Sequence, residues 1–327
     1  MFTISRSVML RLAMLILVLA PGQAFAITVT FLETLDHPLA NDGTRATGVS
    51  GDRVVGWYEE VLPSGGEIHH GFVYDGSTYT TLDHPSQMQP GGETYPLGVD
   101  GSNIVGGLGG FSWGFLYDGS SFADVVLPQP SSPPFIFYSD VSDIDGANMV
   151  GLYVTGDPFD PPSYVFHGYL YDGSTFTTLD HPLTTTNSFA TGIDDNNIVG
   201  DYVDSTGMEH GYLYDGSSYT TIDHPLATGG TFVGGISGNC MVGSYLNASG
   251  RHGFLYDGST FTTVDHPLGT TTHVDGIDGN TIVGYYRDGA GLEHGFIAEI
   301  PEPSTRTLAA MAAICLAGAF WARRRDR

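Results

Sequence analysis

The sequence predicts an all-β fold: a six-bladed β-propeller closed by its own N-terminal strand, followed by a single C-terminal transmembrane or sorting helix. Three observations carry this. One unit is written six times across residues 27–300, each unit holds four strand-like runs, and the last unit lacks a run that the mature N-terminus supplies.

The repeat is read from recurring words. Tyr-Asp-Gly recurs at Tyr74, Tyr117, Tyr171, Tyr214 and Tyr256. Val-Gly after an apolar residue recurs at Val55, Val105, Val150, Val199, Val242 and Val283. His-Gly recurs at His70, His167, His210, His252 and His294, with Trp113-Gly114 in the remaining slot. Spacings of about 41–50 residues match a propeller blade. Pro-rich insertions near 128–134 and 157–162 account for a longer interval.

In the fourth unit the strand-like runs are FATGID (189–194), NIVGDYVD (197–204), HGYLYDG (210–216) and SYTTIDHP (218–225). Tyr, Phe, Val, Ile and Thr fill them, and Asp-Gly, Asn-Asn or Gly-Asn punctuate the repeats, as tight hairpins require. The sixth unit ends at HGFIAEI (294–300) without a fourth run. ITVTFLETLDHP (27–38) has the missing pattern, so 27–38 is predicted to pair with 294–300 and close the ring.

Composition excludes some partners. The net charge is −25 and lysine is absent. Outside the two ends the basic side chains are Arg45, Arg53, Arg251 and Arg287. Nucleic acid is not expected as a partner, because phosphate recognition needs clustered cations. Cys240 stands alone in the body and Cys315 lies in the C-terminal apolar run, so no disulfide joins body residues.

Both ends read as addresses. Residues 1–26 form a signal peptide: Arg6 and Arg11, an apolar run at 12–20, and the small-x-small site AFA at 24–26. The segment 301–327 starts with Pro301-Glu302-Pro303-Ser304, continues with an apolar run at 308–322 and ends in Arg323, Arg324 and Arg325. Physically it is a short membrane stop with a basic flank. Its three parts, in that order at the extreme end, resemble the PEP-CTERM sorting signal. The resemblance implies an exosortase-type processing enzyme as partner, a transient or permanent membrane anchor at 308–322, and export to the envelope or biofilm matrix. The body is similar to HAF-type extracellular repeats through its HGF and HGY words at His70, His167, His210, His252 and His294. That resemblance implies an extracellular propeller-like domain with no assigned chemistry.

The repeated Asp-His-Pro words are the most site-like feature. Antiparallel pairing of the third and fourth strands brings His210 and Asp223 together, directly opposite if the loop is Asp215 to Ser218. The same logic pairs His70 with Asp83, His167 with Asp180, His252 with Asp265, and His294 with Asp36 across the ring closure. In the second unit Trp113, Val126 and Leu127 stand in these places, so His and Asp are lost together. That pattern fits a structural clasp, since a buried carboxylate without its partner is costly, about 1–3 kcal/mol. Ligand or metal work is the rival reading. The second histidine of each word, such as His224, gains no partner by this logic. It begins the loop to the next unit, where a functional role is more readily placed than on Asp223.

No catalytic or phosphate-binding motif is present. The turns DIDGANMVG (143–151), GIDDNNIVG (192–200) and GIDGNTIVG (276–284) carry oxygens that calcium could use, but tight hairpins require the same residues. No cofactor is expected. Connections between second and third strands and between units are long and variable, as at 59–69, 128–137 and 155–166, and form the expected binding face. The function read from this is an exported, non-enzymatic surface or matrix protein that binds polysaccharide or protein. A glycan-cleaving propeller enzyme and a calcium-dependent structural module are the alternatives.

Overall fold

The computed structural model describes residues 29–300, apart from 64, 89–91, 110–112, 132–133 and 185. The signal segment at 1–26 and the tail at 301–327 lie outside the described residues. Among the described residues no helix is long and apolar enough to cross a membrane.

The chain is an all-β propeller. β1 (Thr30–Leu35) precedes the first full unit, β2 (Gly43–Ser50), β3 (Arg53–Val61), β4 (Glu67–Tyr74) and β5 (Tyr79–Thr81). The second unit is β6 (Glu93–Asp100), β7 (Asn103–Gly109), β8 (Gly114–Tyr117) and β9 (Phe122–Val125). The third is β10 (Ile136–Asp145), β11 (Asn148–Thr155), β12 (Val165–Tyr171) and β13 (Phe176–Thr178). The fourth is β14 (Ser188–Asp194), β15 (Asn197–Val203), β16 (Glu209–Tyr214) and β17 (Tyr219–Ile222). The fifth is β18 (Gly230–Ser237), β19 (Cys240–Asn247), β20 (Gly250–Tyr256) and β21 (Phe261–Val264). β22 (Thr271–Asp278), β23 (Thr281–Arg287) and β24 (Glu293–Glu299) complete the chain order.

Units two to five are separate four-stranded antiparallel sheets. The first and last units form one eight-stranded sheet, joined by the single parallel pair Gly43↔Glu293. β1 adds to the last unit rather than the first: Thr30 lies opposite Glu299 and Leu35 opposite Gly295, the pairing predicted from the missing fourth run. The innermost strands touch in a cycle: β2 on β6, β6 on β10, β10 on β14, β14 on β18, β18 on β22, and β22 back on β2.

A belt of hydrogen bonds follows the same cycle at the first hairpin of every unit. The last side chain of each innermost strand accepts a backbone N–H from the next unit's turn. Gly101 donates to Ser50 (3.1 Å), Gly146 to Asp100 (2.9 Å) and Asp195 to Asp145 (2.7 Å). Gly238 donates to Asp194 (2.5 Å), Gly279 to Ser237 (3.0 Å), and Gly51 to Asp278 (2.7 Å), which closes the belt. The Asp-rich turns weighed above as calcium sites therefore spend carboxylate oxygens on the neighbouring unit. Their first turn residue is left-handed in every unit, with φ of 54–58°, and is glycine everywhere except Asp195.

The Val-Gly word has a packing cause. A Cβ on Gly56, Gly106, Gly200, Gly243 or Gly284 would stand 1.9–2.0 Å from a backbone oxygen of the innermost strand, and on Gly151 2.3 Å. Each innermost strand carries a bulge beside this glycine, at Thr47, Leu97, Ser142, Thr191, Gly234 and Asp275, which brings the two backbones close. Apolar rows of neighbouring units then interlock, as where Val242, Leu255 and Val264 meet Val274, Ile282 and Phe296.

Candidate functional site

All five predicted His–Asp pairs meet. Nδ1 to carboxylate distances are 2.9 Å for His70–Asp83, 2.8 Å for His167–Asp180 and 2.9 Å for His210–Asp223. They are 2.8 Å for His252–Asp265 and 2.7 Å for His294–Asp36. The register follows from a four-residue turn, because Tyr214 pairs with Tyr219 and Gly211 with Ile222. Asp215 stabilises that turn by accepting from the backbone N–H groups of Ser217 and Ser218 at 2.9 and 2.8 Å. Three of these histidines also direct Nε2 toward a second carboxylate, at 3.4 Å for His70–Glu60 and His210–Asp204 and 3.6 Å for His294–Asp288. The Asp83 hydrogen bond raises the His70 pKa, against the effect of burial.

The burial argument for these pairs needs correcting. The Asp223 and Asp36 side chains are 49% and 58% exposed, so losing the partner would not strand a buried charge. In the second unit Val126, in the Asp place, is 64% exposed, so it does not form a buried apolar replacement pair with Trp113.

The second histidine of each word is also corrected. His224 is not free in a loop. It is 4% exposed and lies parallel to the Tyr245 ring at 3.7 Å. Its backbone N–H donates to Thr231 Oγ1 (3.0 Å), and its Nδ1 accepts the Leu226 N–H (3.2 Å). Nδ1 is therefore unprotonated and the ring neutral; burial pushes its pKa down to about 4. His37 on Tyr58, His181 on Tyr202 and His266 on Tyr286 repeat the stack at 3.7 Å. Each Asp-His-Pro word thus spans two units: its Asp serves the hairpin behind it, and its His packs on the sheet ahead. One word is missing, in the second unit's last strand. This accounts for both the absent clasp there and the Leu127 that replaces histidine beside Tyr153 in the third unit.

Beside this constant layer runs a variable one. The constant cross-strand pairs are Thr44↔Tyr58, Thr94↔Leu108, Ser139↔Tyr153, Ser188↔Tyr202, Thr231↔Tyr245 and Thr272↔Tyr286. One residue further along, on the opposite sheet face, the pairs are Arg45↔Trp57, Tyr95↔Gly107, Asp140↔Leu152, Phe189↔Asp201, Phe232↔Ser244 and His273↔Tyr285. No two are alike. They lie toward the long-loop end of the ring, the face expected to bind. Aligning the repeats position by position would have found them, because five of the six copies agree on one side of the strand and all six differ on the other.

These side chains contact one another across units. The Arg45 guanidinium lies 4.6 Å from the Trp57 ring centre and 4.4 Å from that of Tyr285, and donates to Glu293. His273 stacks on Tyr285 at 4.2 Å. Tyr95 donates to Glu93 (2.6 Å) and meets His69 (3.0 Å), with Trp57 edge-on to both rings. Burial raises the carboxyl pKa of Asp140 to about 6, and those of Asp201 and Asp275 to about 7. Asp201 still accepts the Val233 N–H at 3.2 Å. Such groups exchange protons near neutrality and can both donate and accept hydrogen bonds.

The ring axis itself is pinched. At the bulges, Thr47, Thr191, Asp275 and neighbouring glycines leave a cavity of about 30 Å³, room for little more than a water. Asp143 projects there, where the other five units have glycine; its Oδ2 accepts the Ile193 N–H (3.0 Å), and burial raises its pKa to about 7. A sugar-sized ligand would therefore stop at the variable row. On the opposite face, two clefts of about 510 and 450 Å³ lie at equivalent positions between units, one beside Tyr256 and Met241 and the other beside Gly76 and Val54. Oxygens of Asp42, Glu59 and Glu67 lie within 4.8 Å of one another, a spacing that could hold a metal ion.

No family model and no curated protein matches the chain. Similar solved structures exist. A mutant Trypanosoma rangeli sialidase with trans-sialidase activity is 10% identical, with a TM-score of 0.50 over 87% of this chain and 59% of that one. The six-bladed fucose-recognising lectin of Aleuria aurantia is 12% identical, with a TM-score of 0.49 over 83% of this chain and 93% of the lectin. The β-propeller domain of the Trilobed protease from Pyrococcus furiosus is 8% identical, with a TM-score of 0.48 over 86% of this chain and 98% of that one. At these identities the likeness concerns the propeller fold alone.

Proposed function

We propose that this chain is an exported, non-enzymatic surface or matrix protein whose six-bladed propeller binds polysaccharide through the variable row. The observation that carries this is the contrast between the two adjacent rows. A scaffold needs the constant Thr/Ser–Tyr pairs, but it has no use for six different pairs at the next position. Trp57, Tyr95, Phe189 and Phe232 offer flat apolar faces for sugar rings. Arg45, His273, Asp140 and Asp201 stand among them for hydroxyl groups. The five His–Asp pairs and the His–Tyr stacks belong to the scaffold in this reading. Export, exosortase-type handling and anchoring through 308–322 rest on the end segments.

Affinity electrophoresis of the full chain in gels containing single polysaccharides tests the proposal. At least one polysaccharide should retard the protein, and Trp57→Ala should abolish the retardation without changing the urea midpoint by more than a small amount. Unchanged retardation of the variant would remove the row as the site. A second reading, glycan cleavage, is favoured by the two carboxyls Asp201 and Asp275, held near neutral pKa beside the row. Release of reducing ends by the full chain, lost in Asp201→Asn, would replace binding with catalysis.

A further inference from the structure

We infer that the arc of the variable row formed by the fifth, sixth and first units recognises the carboxylate of an acidic sugar, a ligand of the uronic-acid class. This deepens the polysaccharide reading and rests on it. The chain has no lysine and a net charge of −25, and its body carries only four arginines. Three of them converge here: Arg45 from the first unit, Arg251 from the fifth and Arg287 from the sixth. His273 and Asp275, on the innermost strand of the sixth unit, mark the convergence. His273 is within electrostatic reach of all three guanidinium groups, and Asp275 of Arg45 and Arg251.

Their pairing is unequal. Arg45 and Arg287 share one carboxylate, Glu293. Arg251 has no ion pair among the described residues. It lies over Phe232, 4.1 Å from the ring centre, and donates to Ser244 Oγ at 3.0 Å. Asp201, Glu209 and Asp275 are within its electrostatic reach, and burial pushes all three carboxyl pKa values up. The arc thus gathers three of the body's four arginines among the carboxyls of Glu293, Asp201, Glu209 and Asp275, and among the described residues Arg251 spends one guanidinium donor, on Ser244. A planar guanidinium fork matches a carboxylate, and Phe232 and Trp57 in the same arc supply stacking faces for the ring that bears it.

The test is binding of the full chain to polygalacturonate, to uncharged galactan and to dextran sulfate at low salt. Polygalacturonate should bind about tenfold or more tightly than galactan, and that ratio should fall toward one in Arg251→Gln. Arg287→Gln serves as a second variant; its side chain is half-exposed, so it folds even if the first does not, and it should lower the ratio in the same direction. Equal binding of polygalacturonate and galactan, or an unchanged ratio in both variants, would overturn this inference while leaving the polysaccharide reading in place. Tighter binding of dextran sulfate would overturn the carboxylate assignment. Failure to bind any glycan would overturn both.

Discussion

His224→Leu tests whether the Asp-His-Pro histidine is a neutral scaffold group. The substitution copies the molecule's own third unit, where Leu127 takes this place. At pH 7.5 it removes a ring stack, worth about 0.5–1.5 kcal/mol, and an Nδ1 acceptor, worth about 0.5–1.5 kcal/mol, and it adds apolar burial that offsets part of the loss. The informative quantity is the change with pH. Burial lowers the His224 pKa from 6.5 to about 4. Between those values the unfolded chain binds a proton that the folded one refuses, so this residue's contribution falls as pH falls through 6.5 toward 4. The slope is about 1.36 kcal/mol per pH unit. Leucine does not titrate. Relative to its standing at pH 7.5, the variant should therefore gain about 2 kcal/mol on the wild type at pH 5. Taking the difference matters, because Asp143, Asp201 and Asp275, raised to about 7, favour the folded state at lower pH and mask the effect in the wild type alone. Urea denaturation followed by intrinsic fluorescence at pH 7.5, 6 and 5 measures it. A stability difference that does not move with pH would refute the neutral buried histidine.

Asp195→Gly relieves the one left-handed residue that is not glycine among the six first hairpins, and should stabilise by about 0.5–1 kcal/mol; an unchanged or lower urea midpoint would contradict the strain. Gly200→Ala places a methyl 1.9 Å from the Phe189 carbonyl oxygen and should leave little soluble folded protein; near-normal melting would show that the innermost strand yields. A double-mutant cycle at His210 and Asp223 should give a coupling of about 0.2–1 kcal/mol, modest because Asp223 is half-exposed; additive effects would remove the clasp.

Most of the fold was legible because a repeat multiplies weak signals. One Val-Gly or Tyr-Asp-Gly means little, but six aligned copies reveal four strands per unit, and the missing fourth run located the ring closure at Thr30–Leu35. The His–Asp pairing was legible, but its register depended on the loop length, which the four-residue turn between Tyr214 and Tyr219 settles. The His224 stack was not visible because Tyr245 lies 21 positions away in the next unit's second strand, and nothing local distinguishes that tyrosine from any other. The candidate site was missed for a different reason. Attention to what the units share conceals it, since Arg45, Tyr95, Asp140, Phe189, Phe232 and His273 occupy one position and share no chemistry. The Asp-rich turns were ambiguous between metal and backbone use, and the contacts of Asp145, Asp194 and Asp278 with the next unit's turn show where those oxygens go.

A crystal structure of the full chain with a polysaccharide fragment that it binds tests the central claim most directly. The account predicts sugar density at the long-loop end, against Trp57 or Phe232. Density confined to the clefts beside Tyr256 and Gly76 on the opposite face would contradict it.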